Sequence, residues 1–294
     1  MFSFSGAVVG HPGYSPRIIM SRSLARKQFE QAVKFSNPTV DIARAALYIA
    51  QEEYSDLEVE SYVSTLDQMA EAVRDQLPSE SYPLRIIKCI NRHLYDTVGF
   101  MGNKVDYYDP ENSYFNRVLE RKTGIPITLS LVYLEIARRL DFPMEGINMP
   151  GHFLIRPTID DMEIFVDPFN NGDVLFRQDC QDRLVQLYGD DMELRPEFFD
   201  AVSPRLFLAR ILRNLKGIYL QQDDWERALA AVDRILLLMP DELMEQRDRG
   251  LICYQLGDWI EARHDLDHYL DCCPDAEDNV MICKILDQIN RQFP

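Results

Sequence analysis

The chain has 294 residues, 46% of them hydrophobic, which is enough for two domains with a real core and excludes a globally disordered protein. Its formal net charge of -17 argues against a nucleic-acid surface and against an acidic membrane surface, because both need clustered Lys and Arg. No apolar run approaches the ~18 residues of a membrane span, and no secretory leader is recognisable.

The six cysteines are Cys89, Cys180, Cys253, Cys272, Cys273 and Cys283. None forms a CxxC pair or a zinc spacing, so no metal and no cofactor is expected. Scattered thiols suit a reducing compartment, and the expected location is cytoplasmic.

Residues 1–28 hold no acid and carry Arg17, Arg22, Arg26 and Lys27 among serines, the composition of a flexible basic arm. From 29 to about 110 the apolar period is helical. Asn37-Pro38 reads as a helix start, and Ser55 or Asp56 as the cap of the next helix, whose apolar face runs through Val59, Leu66, Met69 and Val73. Pro83 opens a third helix with Leu84, Ile87, Ile90, Leu94 and Val98 inward. His93 lies beside that stripe with no second ligand near it, the pattern of a core histidine. Residues 99–110 form a loop whose acids lack the alternation and closing Glu of a calcium loop. A short helix over 112–122 follows, with Gly124 as its stop.

Pro126 pre-sets the first turn of a central helix. Leu129, Val132, Tyr133, Ile136, Ala137 and Leu140 give that helix a broad apolar face, so it should be largely buried. Strands are expected at 145–149, 152–156 and 163–166, with a shorter one at 174–176. Cys180 then falls near the start of a helix reaching 188.

The last ninety residues repeat themselves. Asp224-Trp225 and Asp258-Trp259 are 34 apart, as are Ala228 and Ala262, and Pro240 and Pro274. That is the tetratricopeptide period. The alanines let paired helices approach, the prolines end the second helix of each pair, and 280–293 reads as a capping helix. His264 and His268 stand one helical turn apart, but no third ligand accompanies them.

The stretch 124–172 carries the only arrangement that points to chemistry. A helix is followed by a strand histidine, His152, and a strand aspartate, Asp167. A thiolate at a helix N-terminus, a histidine base and an orienting carboxylate make a nucleophilic site in that chain order. The residues offered at the helix start are Ile125, Pro126, Ile127, Thr128 and Ser130, none of them cysteine. Thr128 and Ser130 are the candidate hydroxyl nucleophiles. Each can instead satisfy a free backbone N–H of the first turn. His152 and Asp167 can likewise be a buried pair that fixes two strands. Cys180 comes after both in the chain, the wrong order for the nucleophile.

The segments GIPITLSLVYLEIARRL, PGHFLIR and FVDPFNNG, in that order, resemble the transglutaminase-like core of bacterial SirB-type proteins. The resemblance covers residue 29 to the C-terminus. It implies a papain-like α+β core behind an N-terminal helical region, with tetratricopeptide repeats after it. His152 matches the superfamily histidine and Asp167 the aspartate. The superfamily cysteine would fall near Ile127 or Thr128, where this chain departs from the active pattern.

The expected fold class is therefore α+β. A basic arm (1–28) and a helical region (29–110) precede a transglutaminase-like core (111–195), and two repeats with a capping helix (196–294) close the chain. The expected function is a non-catalytic protein-interaction or regulatory protein on a degenerate transglutaminase-like domain. It would engage a protein or peptide through the core cleft or the repeats. The alternative is a peptide or amide hydrolase or acyltransferase that uses Thr128 or Ser130 with His152 and Asp167.

Overall fold

The computed structural model describes residues 24–34, 40–78, 82–159 and 162–292. The expected helix start at Asn37-Pro38 and most of the basic arm lie outside them. The chain divides into two compact units, one of Leu24–Asn214 and the other built on Leu215–Pro294.

In the first unit, helices α1 (Leu24–Ala32), α2 (Ile42–Gln51), α3 (Val59–Arg74) and α4 (Pro83–Asn91) lead to α5 (Phe115–Arg121) and the central α6 (Pro126–Arg139). The alanine-rich face of α2 is closed to water, and Asp41 caps it by accepting from the Arg44 N–H. The start of α3 differs from expectation. Its cap position is Glu58, which makes no side-chain bond, and Ser55 and Asp56 belong to the preceding turn. There Leu57 is buried, and the chain can enter the helix only after that side chain is seated.

α4 does not continue as one α-helix to Val98. Arg92–Val98 is a π-helical stretch closed by Gly99 in the left-handed conformation (φ 85°). The wider turn keeps His93 and Leu94 buried. Two short strands, β1 (Met101–Gly102) and β2 (Thr123–Gly124), pair in parallel across the loop and α5. α5 is therefore stopped by Lys122 in the left-handed region (φ 56°), not by Gly124, which is already in β2.

α6 is buried on almost every side from Pro126 to Ala137, as its breadth of apolar positions requires. It packs against α3 on one side and against an antiparallel sheet of order β3-β4-β5-β6 on the other. The strands are β3 (Met144–Ile147), β4 (Leu154–Pro157), β5 (Phe165–Asp167) and β6 (Asp173–Leu175). Ile147 faces Leu154, Ile155 faces Val166 and Asp167 faces Asp173. Helix α7 (Arg177–Tyr188) closes a second cluster of Ile147, Leu154, Phe165, Leu175, Cys180 and Leu184. The unit ends within α8 (Pro204–Gln221).

The second unit continues with α9 (Trp225–Leu238), α10 (Leu243–Leu256), α11 (Trp259–Cys272) and α12 (Asn279–Gln292). The period of 34 is written in its geometry. Asp224 and Asp258 cap α9 and α11 by accepting from the N–H groups of Arg227 and Glu261. Asp223 and Gly257, at the same spacing, are both left-handed. Ala228 and Ala262 are fully buried. A Cβ on Gly250 would meet Leu266 at 2.9 Å, so α10 and α11 touch backbone to side chain there. α12 covers the last apolar face with Ile282, Leu286 and Ile289. No described helix is long and apolar enough to cross a membrane.

Candidate functional site

Pro150-Gly151 forms a tight turn with Gly151 at φ 73°, and the His152 N–H closes it on the Met149 carbonyl at 3.0 Å. His152 thus stands two residues before β4 rather than at its start, because its N–H is taken up in closing the expected Pro150-Gly151 turn. Asp167 is the last residue of β5 and is fully buried. Its Oδ1 accepts from the backbone N–H of Phe169 at 3.1 Å and of Asn170 at 3.3 Å, and its Oδ2 accepts from the Asn170 side-chain amide at 2.8 Å. The carboxylate caps the one-turn helix Pro168–Asn170, which is why DPFN follows the strand directly.

The structure brings the two residues together. His152 Nε2 lies 2.9 Å from Asp167 Oδ1. The two atoms are in close polar contact without the alignment of a regular hydrogen bond. Nδ1, the nitrogen that would serve a nucleophile, has no hydrogen-bond partner among the described residues. Burial alone would push the Asp167 carboxyl up. The His152 ring beside it, then Arg183 and Asn170, outweigh it and hold the carboxyl well below the usual carboxylate range.

Arg183 is the residue that sequence reasoning missed. It projects from α7 and bonds Oδ2 of Asp167 directly. Phe165 and Asp167 are two apart on β5 and share its face, and that face meets α7. One carboxylate therefore serves a histidine and an arginine at once. The turn behind it is tied to the helical region as well. The Asn91 amide donates to the Gly172 carbonyl at 2.7 Å, Tyr133 donates to Asn91 Oδ1 at 2.9 Å, and the Tyr95 hydroxyl donates to the Pro168 carbonyl at 3.1 Å.

The candidate hydroxyls are placed elsewhere. Thr128 is fully buried; its Oγ1 accepts from the Ile125 N–H at 3.1 Å and donates to the Asn112 carbonyl at 2.7 Å. Ser130 is also fully buried, and its Oγ has no hydrogen-bond partner among the described residues. Neither hydroxyl bonds the His152 ring. Cys180 is sealed in the α7 cluster, where burial pushes its thiol up to about 11, the opposite of an activated nucleophile.

The remaining histidines form no site among the described residues. His93 is buried with both ring nitrogens unbonded, and burial pushes its pKa down, so the neutral ring is favoured. His264 Nδ1 stands 3.3 Å from Asp265 Oδ1, while His268 faces Cys272. No group of three or more His, Cys, Asp or Glu that could hold a metal occurs among the described residues.

The rim of the His152 site is aromatic. The Phe169 ring meets His152 edge-on at 6.2 Å and Tyr107 at 6.3 Å. A Cβ on Gly102 would come within 2.7 Å of Phe169, so the glycine of β1 makes room for that ring. Lys104 lies over the same ring at 5.8 Å and donates to Asn170 Oδ1 at 2.9 Å.

Comparison with known families agrees with this architecture. Residues 60–213 match the transglutaminase-like superfamily, and residues 215–286 match the tetratricopeptide repeat. A UPF0162 protein of Xylella fastidiosa (strain 9a5c) is 39% identical over 249 residues, 83% of this chain and 88% of that one. The UPF0162 protein of Vibrio cholerae is 32% identical over 62% of this chain and 68% of its own length. The human F-box only protein 21 is 31% identical over 60% of this chain but only 29% of its own length. No solved structure matches the chain.

Proposed function

The chain belongs to the transglutaminase-like superfamily, among the UPF0162 proteins, and we propose from that premise that it is a non-catalytic protein-interaction protein. The observation that carries the reading is the placement of the two hydroxyls. A transglutaminase-like site works by presenting a nucleophile to the histidine. Here Thr128 spends its hydroxyl on the backbone at the α6 N-terminus, and Ser130 is buried without a partner among the described residues. Loss of a nucleophile costs on the order of 10⁶ in kcat in a serine protease, and no hydroxyl or thiol among the described residues bonds the His152 ring in its place. His152, Asp167, Thr128 and Ser130 are read as the remnant of a site. The SirB-type likeness belongs to the same proposal.

The partner is a protein or peptide, held by the rim around His152 or by the repeats. No nucleic-acid or membrane partner is proposed, in keeping with the charge of -17. Six free cysteines, two of them exposed, support a cytoplasmic location.

The test is affinity capture from native lysate with the wild type and His152→Ala side by side. The expected result is one partner set for both, recovered with unchanged masses. A protein that His152→Ala retains intact, and that the wild type releases or modifies, would overturn the reading.

A further inference from the structure

We propose that Arg210 is the anchor of a carboxylate-recognition site beside His152, which takes a peptide bearing a free carboxylate. The inference rests on the interaction reading above and names the chemistry of the partner.

Several sheltered arginines of this chain are met by acids. Arg26 bonds Glu52 at 2.6 Å, Arg139 bonds Asp67 at 2.6 Å and also Glu135, Arg249 bonds both oxygens of Asp265 at 2.6 Å, and Arg183 bonds Asp167. Arg210 differs from these. It is partly buried, yet among the described residues its one polar contact is a long 3.5 Å approach to the His152 carbonyl. No carboxylate among the described residues pairs with it. Its guanidinium lies over the Phe153 ring at 5.3 Å, which supports the flat face and leaves the N–H edge for a planar acceptor. The chain has 48 acidic residues against 31 basic ones, so an unpaired guanidinium in a half-sheltered place is not for want of acids. Burial lowers the Arg210 pKa, and the groups that offset this are Tyr107 and Tyr188, not an acid.

The surroundings fit a peptide. Tyr107 is 40% exposed, Tyr188 54% and Leu187 57%, and Tyr107 stands against Phe169 at the His152 rim. A Cβ on Gly151 would meet the Tyr188 hydroxyl and Leu187 Cδ1 at 2.9 Å each, so both side chains lie directly over that turn. These rings give an apolar shelf with hydroxyl donors at its edge, the composition that holds extended peptides. A carboxylate matches one guanidinium fork in charge and shape, whereas a phosphate dianion would call for further cations at the same point.

The experiment uses the full chain and three pools of random octapeptides. One pool lacks Asp and Glu but keeps a free C-terminal carboxylate, one is amidated with a single fixed Glu, and one is amidated with no acid. The wild type is expected to enrich one or both carboxylate pools at least about tenfold over the acid-free pool. The preferred pool tells a C-terminal from a side-chain carboxylate. Arg210→Gln should bring enrichment down to the acid-free level, and Arg210→Lys should keep part of it. Should Arg210→Gln not fold, Tyr188→Phe, which removes one exposed hydroxyl, and Arg210→Lys carry the test by weakened enrichment. Equal retention of the acid-free pool, no enrichment of any pool, or undiminished enrichment in the variants overturns the site. Because lysate capture with His152→Ala does not involve Arg210, it reports on the interaction reading separately.

Discussion

Asp167 stands between a histidine and an arginine, with His152 Nε2 2.9 Å from one oxygen and Arg183 bonded to the other. A carboxylate that orients a catalytic histidine has that as its main task. Here the same group also neutralises an arginine and caps a turn, so its first consequence is for stability. Removing it as Asp167→Ala strands a half-buried arginine and two backbone donors and should cost roughly 3 kcal/mol, read from denaturant unfolding. Asp167→Asn keeps the shape and should cost less.

The same residue sets an acid limit. Its folded pKa lies below the unfolded carboxylate value of about 3.9, so the folded state favours the charged form. The stabilisation is fully present above the unfolded pKa and is lost as pH falls through the folded one. Unfolding free energy should therefore drop below roughly pH 4 more steeply in the wild type than in Asp167→Asn. Parallel acid limbs in the two proteins would show that Asp167 is not the group responsible.

The two hydroxyls of α6 should respond in opposite ways. Thr128→Val removes an acceptor and a donor that the backbone uses, at a cost of about 1–2 kcal/mol. Ser130→Ala removes a buried oxygen with no partner and should be neutral or stabilising. Thermal melts of both variants decide it. A large loss of stability in Ser130→Ala would mean that its oxygen is bonded after all.

Gly172 holds the far side of the Asp167 turn. Its φ is 72°, and an added Cβ would fall 2.2 Å from Asn91 Oδ1. Gly189 has φ 93° but open space around it. Gly172→Ala should thus cost about 2–3 kcal/mol and Gly189→Ala nearer 1 kcal/mol, since only the first adds a collision to the backbone strain.

In the repeats, Ala262 is fully buried against neighbouring helices. Ala262→Leu should overpack that contact and cost ~1–3 kcal/mol. Hydrogen exchange should show the loss in α10, α11 and α12.

What the sequence makes legible is the part fixed by local rules. The burial of α6 follows from apolar residues on every side of a Pro-led helix, and the repeat unit from the offset of 34 shared by Asp224, Trp225, Ala228 and Pro240. His152 and Asp167 are readable because Pro150-Gly151 and DPFN are turn signals in themselves. Arg183 was hidden because its role depends on which face of β5 meets α7, a tertiary matter. The π-helical stretch at Arg92–Val98 was hidden because α- and π-turns differ in one residue of register, and His93 and Leu94 suit either. The pairing of β1 with β2 joins strands of two residues each, too short for any period to show.

The central proposal is that no nucleophile among the described residues works with His152. The most direct measurement incubates the full chain with a proteome-derived peptide pool and hydroxylamine, and reads hydroxamate formation and peptide cleavage by mass spectrometry against His152→Ala. The expected result is the same background in both. Hydroxamates or cleavage products that appear with the wild type and vanish in His152→Ala and in Thr128→Val or Ser130→Ala would contradict the account and make the chain an acyl-transfer enzyme.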